Sequence, residues 1–236
     1  MRWIAVLCLC VLAGCVTTTP VPQGPAQPQA NVREKPPTPT RADVERFASV
    51  VKTVEPVSER FCRQQTASGT NCDFRIVVDD RPGQGVNAYQ TLDRNGRPII
   101  AFTLPMLAEV RNRDELAFVM GHEAAHHIAG HIPRQQQNAM AGAILLGGLA
   151  TLGGAGADAV RSASDLGATV GARSYSKEYE IEADAIGTVI AKRAGFNPVR
   201  GAAFFTRIPD PGDRFLGTHP PNAQRIETVR RVNSQL

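Results

Sequence analysis

Five residues, His122-Glu-Ala-Ala-His126, constrain this chain more than any others, because their side chains meet only if the backbone is helical. At about 100° per residue, positions four apart leave one face of a helix roughly a turn apart. Two imidazoles in that relation suit two nitrogen ligands on one tetrahedral zinc. Glu123, beside the first, places a carboxylate within reach of a metal-bound water whose proton it can take. The spacing therefore predicts a helix from about Asp114 to His131.

A zinc site of this kind takes a third protein ligand and keeps its fourth position open for water. His131 follows His126 by five residues; on a continuing helix that is about 500°, which turns its ring away from the metal face. His127 faces elsewhere for the same reason, and both read as surface or packing histidines. Downstream, Ser176-Lys-Glu-Tyr-Glu180-Ile-Glu182-Ala-Asp184 is a good helix former, rich in carboxylates. A carboxylate there would complete a two-histidine, one-glutamate set. Asp184, one turn after Glu180, could hold a ligand histidine in its metal-binding tautomer. Spacing alone leaves the alternative open that Glu178, Glu180, Glu182 and Asp184 form a solvated acidic face.

The order of three segments narrows the choice. His122-Glu-Ala-Ala-His126, then Ser176 through Glu180 and Asp184 to Gly187, then Thr218-His219-Pro220 with Arg225-Ile226, resembles the HtpX and CAAX-prenyl-endopeptidase family of zinc metallopeptidases, peptidase family M48. Val86-Asn-Ala-Tyr89 and Asp114-Glu-Leu-Ala117 resemble the strand and helix start ahead of that family's zinc helix. The likeness covers roughly residues 70 to 230. It implies an α+β, zincin-like (gluzincin) domain, mostly helical, with a small β-sheet beside the zinc helix. It implies one zinc ion per chain, with His122 and His126 as ligands, Glu123 as general base, Glu180 as third ligand and Asp184 as its supporting partner. His219 would lie near the active site, steadying the oxyanion or filling the fourth zinc position in a resting state. The plainer alternative is a loop histidine held by Pro220 and Pro221. Lys177 stands where the family usually has arginine; lysine keeps the charge and loses the planar fork, which puts any buried ion pair there in doubt.

The N-terminus bears on location. Met1-Arg2, the apolar run Trp3 to Ala13 and the small residues before Cys15 form a secretory signal, too short for the roughly 20 residues of a membrane span. Leu12-Ala13-Gly14-Cys15 resembles the bacterial lipoprotein box, so residues 1–14 are expected to be removed and Cys15 acylated. Val16 is not the aspartate that resembles an inner-membrane retention signal, which favours the outer membrane, facing the periplasm. Residues 15–40 hold Pro20, Pro22, Pro25, Pro28, Pro36, Pro37 and Pro39 and read as an extended tether. Cys62 and Cys72 remain as an even pair in an oxidising compartment and are expected to form a disulfide, with zinc ligation the alternative.

Residues 41–236 read as one catalytic domain, since a mature chain of about 220 residues, from a sequence 42% hydrophobic, can bury one core. The net charge of +4 is scattered without interleaved aromatics, which speaks against nucleic acid. Thr40-Arg-Ala-Asp43 reads as a capping box opening a helix with an apolar stripe of Val44, Phe47, Val51, Val54 and Phe61. Strands are expected at Phe74–Asp79, Val86–Thr91 and Pro98–Thr103, and helices thereafter. Ala139–Ala157 carries no charge over 19 residues and six glycines, which suits a glycine-rich flap or docked helix, with a membrane-dipping segment as the alternative.

Two functions compete on these readings. One is a lipid-anchored zinc endopeptidase cleaving unfolded or misassembled envelope proteins, with the outer-membrane lipid as its other partner through Cys15. The other is an assembly or chaperone-like factor that holds such clients with little turnover. Glu123 favours the enzyme, because a holding factor has no use for a general base beside a metal. The absence of several spanning segments disfavours an intramembrane protease of the CAAX type.

Overall fold

A capping box starts the first helix where the sequence places it. Thr40 Oγ1 accepts the Asp43 amide while the Asp43 carboxylate accepts the Thr40 amide at 2.8 Å. The structure, a computed structural model, describes residues 37–213, 217 and 219–236; the expected signal, Cys15 and most of the tether lie outside the described residues. Helix α1 (Arg41–Gln65) buries Phe47, Val50, Val54, Ser58, Phe61 and Cys62. The stripe differs from the expected one: Val50 is fully buried, Val51 only half-buried, and Val44 is 45% exposed. At about 100° per residue Val50 and Val51 flank the line from Phe47 to Val54 about equally, so helical spacing alone does not choose between them. A Cys62–Cys72 disulfide ties the last turn of α1 to the chain entering the sheet, with Cα atoms 5.7 Å apart.

The sheet has three strands, β1 (Arg75–Asp79), β2 (Ala88–Leu92) and β3 (Pro98–Thr103), in the order β1-β3-β2. β1 runs parallel to β3 with Val77 opposite Ala101, and β2 runs antiparallel to it with Ala88 opposite Phe102. The most apolar strand is therefore central, and β2 is an edge. β2 begins two residues later than Val86 because Thr103 Oγ1 takes the Asn87 amide at 3.1 Å, in place of a ladder bond. The Asp93–Gly96 turn between β2 and β3 is held by Asp93 Oδ1, which accepts the Asn95 and Arg97 amides at 2.8 and 2.9 Å, and Gly96 takes φ 77°.

After a short helix α2 (Leu104–Glu109), Asn112 caps α3 (Arg113–Ile128) by accepting the Asp114 and Glu115 amides. Every residue of α3 from Asp114 to Ala125 is buried, so it is the axis of the domain. Two of its three buried carboxylates are neutralised by arginines from a later segment: Glu115 takes Arg207 at 2.7 Å, and Asp114 takes Arg200. The helix stops at Ile128, short of the expected His131. Gly130 sits in the left-handed region at φ 66°, a conformation that ends helices and costs glycine least.

The chain restarts in α4 (His131–Leu152) and returns in α5 (Ala157–Arg173). The charge-free stretch is thus the distal part of a helical hairpin rather than a helix docked on the domain. Its two helices touch backbone to backbone: a Cβ on Gly142 would lie 2.0 Å from the Gly167 carbonyl, and one on Gly171 would lie 2.0 Å from the Asn138 carbonyl. Leu145, Leu149 and Leu152 stay exposed, yet among the described residues no helix is long and apolar enough to cross a membrane. Helices α6 (Ser176–Arg193), α7 (Pro198–Ala202) and α8 (Asn222–Asn233) complete a mostly helical α+β fold with one small sheet. The crossing of α6 on α3 positions the site. Gly121 faces Gly187 there, and a Cβ on Gly187 would come within 2.8 Å of the His122 amide nitrogen.

Candidate metal centre and cleft

His122 and His126 leave α3 on one face, as four-residue spacing requires, and their Nε2 atoms stand 3.0 Å apart. The glycine contact lets α6 approach closely enough for Glu180 to reach both rings. Glu180 Oε2 lies 3.6 Å from His122 Nε2, and Oε1 lies 3.4 Å from His126 Nε2. One donor atom from each residue falls within 4.8 Å of the others. The donor set fits a metal on its own chemistry. His122 Nδ1 is 2.9 Å from Asp184 Oδ1, and a carboxylate only accepts, so the ring proton sits on Nδ1 and the Nε2 lone pair faces Glu180. Lone pairs converging on an anionic oxygen call for a cation between them.

Charges around the cluster are arranged to the same end. Burial, together with nearby His122, lowers His126 to about 3, so its imidazole is neutral, the form that ligates. Burial alone would raise Glu180, but His219, His122 and Arg225 hold it well below the usual carboxylate range. Burial pushes Glu123 up to about 7, against the opposing pull of His122 and with the charge of Glu180 adding to it. A carboxyl poised near neutrality can both take and give a proton at working pH.

Asp184 is fully buried and held by a fork from α8: Arg225 Nε and Nη2 each donate to it at 2.7 Å. Arg225 also lies 3.3 Å from Glu180 Oε2, and its guanidinium stacks 4.0 Å over the Phe205 ring. The sequence places Arg225 in a motif without assigning it a role; a buried arginine opposite two helix carboxylates is legible only once α8 is packed on α6. His219 Nδ1 lies 3.1 Å from Glu180 Oε2, with its side chain 52% exposed, at the rim of the site. Lys177 pairs with the exposed Asp213 and stands outside the metal cluster.

The two neighbouring histidines part company. His127 packs edge-on against Phe74, and its Nε2 meets the Asn71 carbonyl at 2.7 Å, a structural role. His131 does not turn away as a continuous helix would require. The break at Gly130 swings it back, so that its Nδ1 meets His126 Nδ1 at 2.8 Å and its Nε2 meets Glu182 at 3.1 Å. The signal was Gly130 itself, a helix-stop residue ahead of a histidine.

The cluster opens into a cavity of about 590 Å³ walled by β2 on one side and by Met106, Phe118 and Phe205 on another. A second cavity of about 360 Å³ shares Gln90, His126 and Ile132 with the first, so the concavity continues along β2.

The profile of peptidase family M48 matches residues 48–233. The beta-barrel assembly-enhancing protease of Yersinia pestis is 31% identical over 205 residues, covering 78% of this chain and 39% of that protein. The protein of the same name from Escherichia coli O157:H7 is 30% identical over 141 residues, covering 53% of this chain and 28% of that protein. The mitochondrial metalloendopeptidase OMA1 of Saccharomyces cerevisiae is 30% identical over 173 residues, covering 69% of this chain and 47% of that protein. The chain thus spans less than half the length of each of these relatives.

Proposed function

The chain belongs to peptidase family M48, and from that premise we propose that it is a zinc-dependent endopeptidase of the bacterial cell envelope. The observation that carries the reading is Glu123, a buried carboxyl beside the converging His122, His126 and Glu180 at the floor of an open cleft. Those three residues would hold the zinc. A zinc ion there would supply Lewis acidity, lowering the pKa of a water to about 7.

The chain's own groups do the rest. The free edge of β2 offers backbone donors and acceptors to an extended substrate, which adds as a further strand. Glu123 takes the proton of the attacking water and returns it to the leaving amine nitrogen. Asp184 keeps the proton of His122 on Nδ1, and Arg225 keeps Asp184 in place. His219, already against Glu180, is placed to steady the oxyanion or, in a resting state, to occupy the open position.

Acylation at Cys15, an outer-membrane anchor and unfolded or misassembled envelope proteins as substrates belong to the same proposal. They are supported by the Leu-Ala-Gly-Cys box and by two relatives named as beta-barrel assembly-enhancing proteases. The deciding experiment compares cleavage of unfolded casein by the zinc-loaded chain and by Glu123→Gln, with bound zinc measured in both. Cleavage by the parent alone, with equal zinc, supports the endopeptidase. No cleavage by either, with zinc bound, would favour the client-holding factor, or a latent enzyme closed by His219, which His219→Ala would then release.

A further inference from the structure

His126 lacks what His122 has: among the described residues, no carboxylate touches its far ring nitrogen. What touches it is another histidine, His131 Nδ1, at 2.8 Å. Two facing ring nitrogens share one proton, and the rest of the chain decides which ring owns it. His131 Nε2 lies 3.1 Å from Glu182 Oε2. A carboxylate accepts only, so His131 Nε2 carries the hydrogen and His131 Nδ1 is left as an acceptor. The proton between the rings then belongs to His126 Nδ1, which leaves the lone pair of His126 Nε2 facing His122 and Glu180. At the outer end of this relay, the Arg134 guanidinium holds the same Glu182 oxygen at 2.9 Å.

The surroundings hold His131 in that orientation. Its side chain is 5% exposed, and its ring stacks on Tyr179, with centroids 4.6 Å apart and planes 14° apart. Arg134 covers the Tyr179 ring at 4.4 Å, and Asn138 donates to the Tyr179 hydroxyl at 2.9 Å. Glu182 and Tyr179 come from α6, the helix that also carries Glu180, while His131 and Arg134 come from the first turn of α4. The device therefore ties the start of α4 to α6, the helix that supplies Glu180.

We propose that His131 and Glu182 are positioning residues that fix the metal-facing tautomer of His126, as Asp184 does for His122. The proposal rests on the reading of His122, His126 and Glu180 as a metal site. It makes Glu182, which the sequence leaves among surface carboxylates, a working member of the site, two positions from Glu180 and on a different face of α6.

The test uses the full chain with three substitutions. His131→Phe keeps a ring to stack on Tyr179 and removes the acceptor. His131→Asn places an amide oxygen near the lost Nδ1 and restores it. Glu182→Gln can donate to His131 and so permits the reversed proton order. Zinc affinity is measured by competition with a chromophoric chelator, and the His126 tautomer is read from long-range ¹H–¹⁵N spectra of the metal-free chain. His131→Phe is expected to weaken zinc binding by about tenfold to a hundredfold, the usual effect of removing a ligand's supporting partner. His131→Asn should recover most of that loss, and Glu182→Gln should populate the His126 Nε2–H form. Unchanged affinity and an unchanged tautomer in His131→Phe would overturn the proposal. A parent chain that binds no zinc would instead overturn the metal reading, while the metal-free spectra would still decide whether His131 sets the His126 tautomer.

Discussion

A carboxyl group buried among histidines and a second carboxylate is a different reagent from a carboxyl in water, and Glu123 is that case. Burial places it near neutrality, so Glu123→Gln should abolish peptide cleavage while leaving stoichiometric zinc, read by metal analysis alongside the activity assay. Arg225 poses the opposite problem, a charge whose removal strands another. Arg225→Met would leave Asp184 buried without its counter-ion, a loss of about 3–5 kcal/mol for a broken buried pair. Urea denaturation of the metal-free protein would measure it. A drop under about 1 kcal/mol, the scale of an exposed pair, would mean that water reaches Asp184. Asp79, at the end of β1, is held far below the usual carboxylate range, first by the Arg81 hydrogen bond and then by that of Tyr89. A depressed pKa contributes stability above the unfolded value of about 4 and loses it as pH falls. Stability against urea should therefore decline from about pH 5 downward, and Asp79→Asn should flatten part of that slope.

Between elements, the decisive contacts are made by glycines. A methyl group on Gly187 would meet the backbone of His122 at 2.8 Å, so Gly187→Ala must push α6 off α3 and carry Glu180 and Asp184 with it. The expected cost is about 1–3 kcal/mol, as for other overpacked contacts, with zinc affinity falling in parallel. Gly148 is the control. It lies in α4, and a methyl group placed there would have nothing within 4 Å, so Gly148→Ala should raise stability by about 0.4–1 kcal/mol. Thermal denaturation of the two variants should give shifts of opposite sign. The α4–α5 hairpin uses the same device at Gly142 and Gly167, which is why a stretch so rich in glycine is nevertheless helical. Glycine lowers helix propensity, but close backbone packing overrides it here.

Over the whole molecule, the site is assembled from segments far apart in the chain. His122 and Asp184 are 62 positions apart, and His122 and Arg225 are 103 apart. A metal bound by such a set exists only in the folded state, so zinc should raise the melting temperature and a chelator should reverse the gain, whether or not a substrate is present. The capping box, the β3 strand and the four-residue spacing of His122 and His126 were legible in the sequence because each depends on neighbours within a turn or a pleat. So was the family, whose short motifs are contiguous. The break at Gly130, the return of His131 to His126, the fork of Arg225 on Asp184 and the pairing of α4 with α5 were not. They depend on how closely α6, α8 and the hairpin approach, and that distance is set by packing across the molecule. Local sequence determined which residues could serve a metal; tertiary packing decided which of them meet and which nitrogen of each ring faces Glu180.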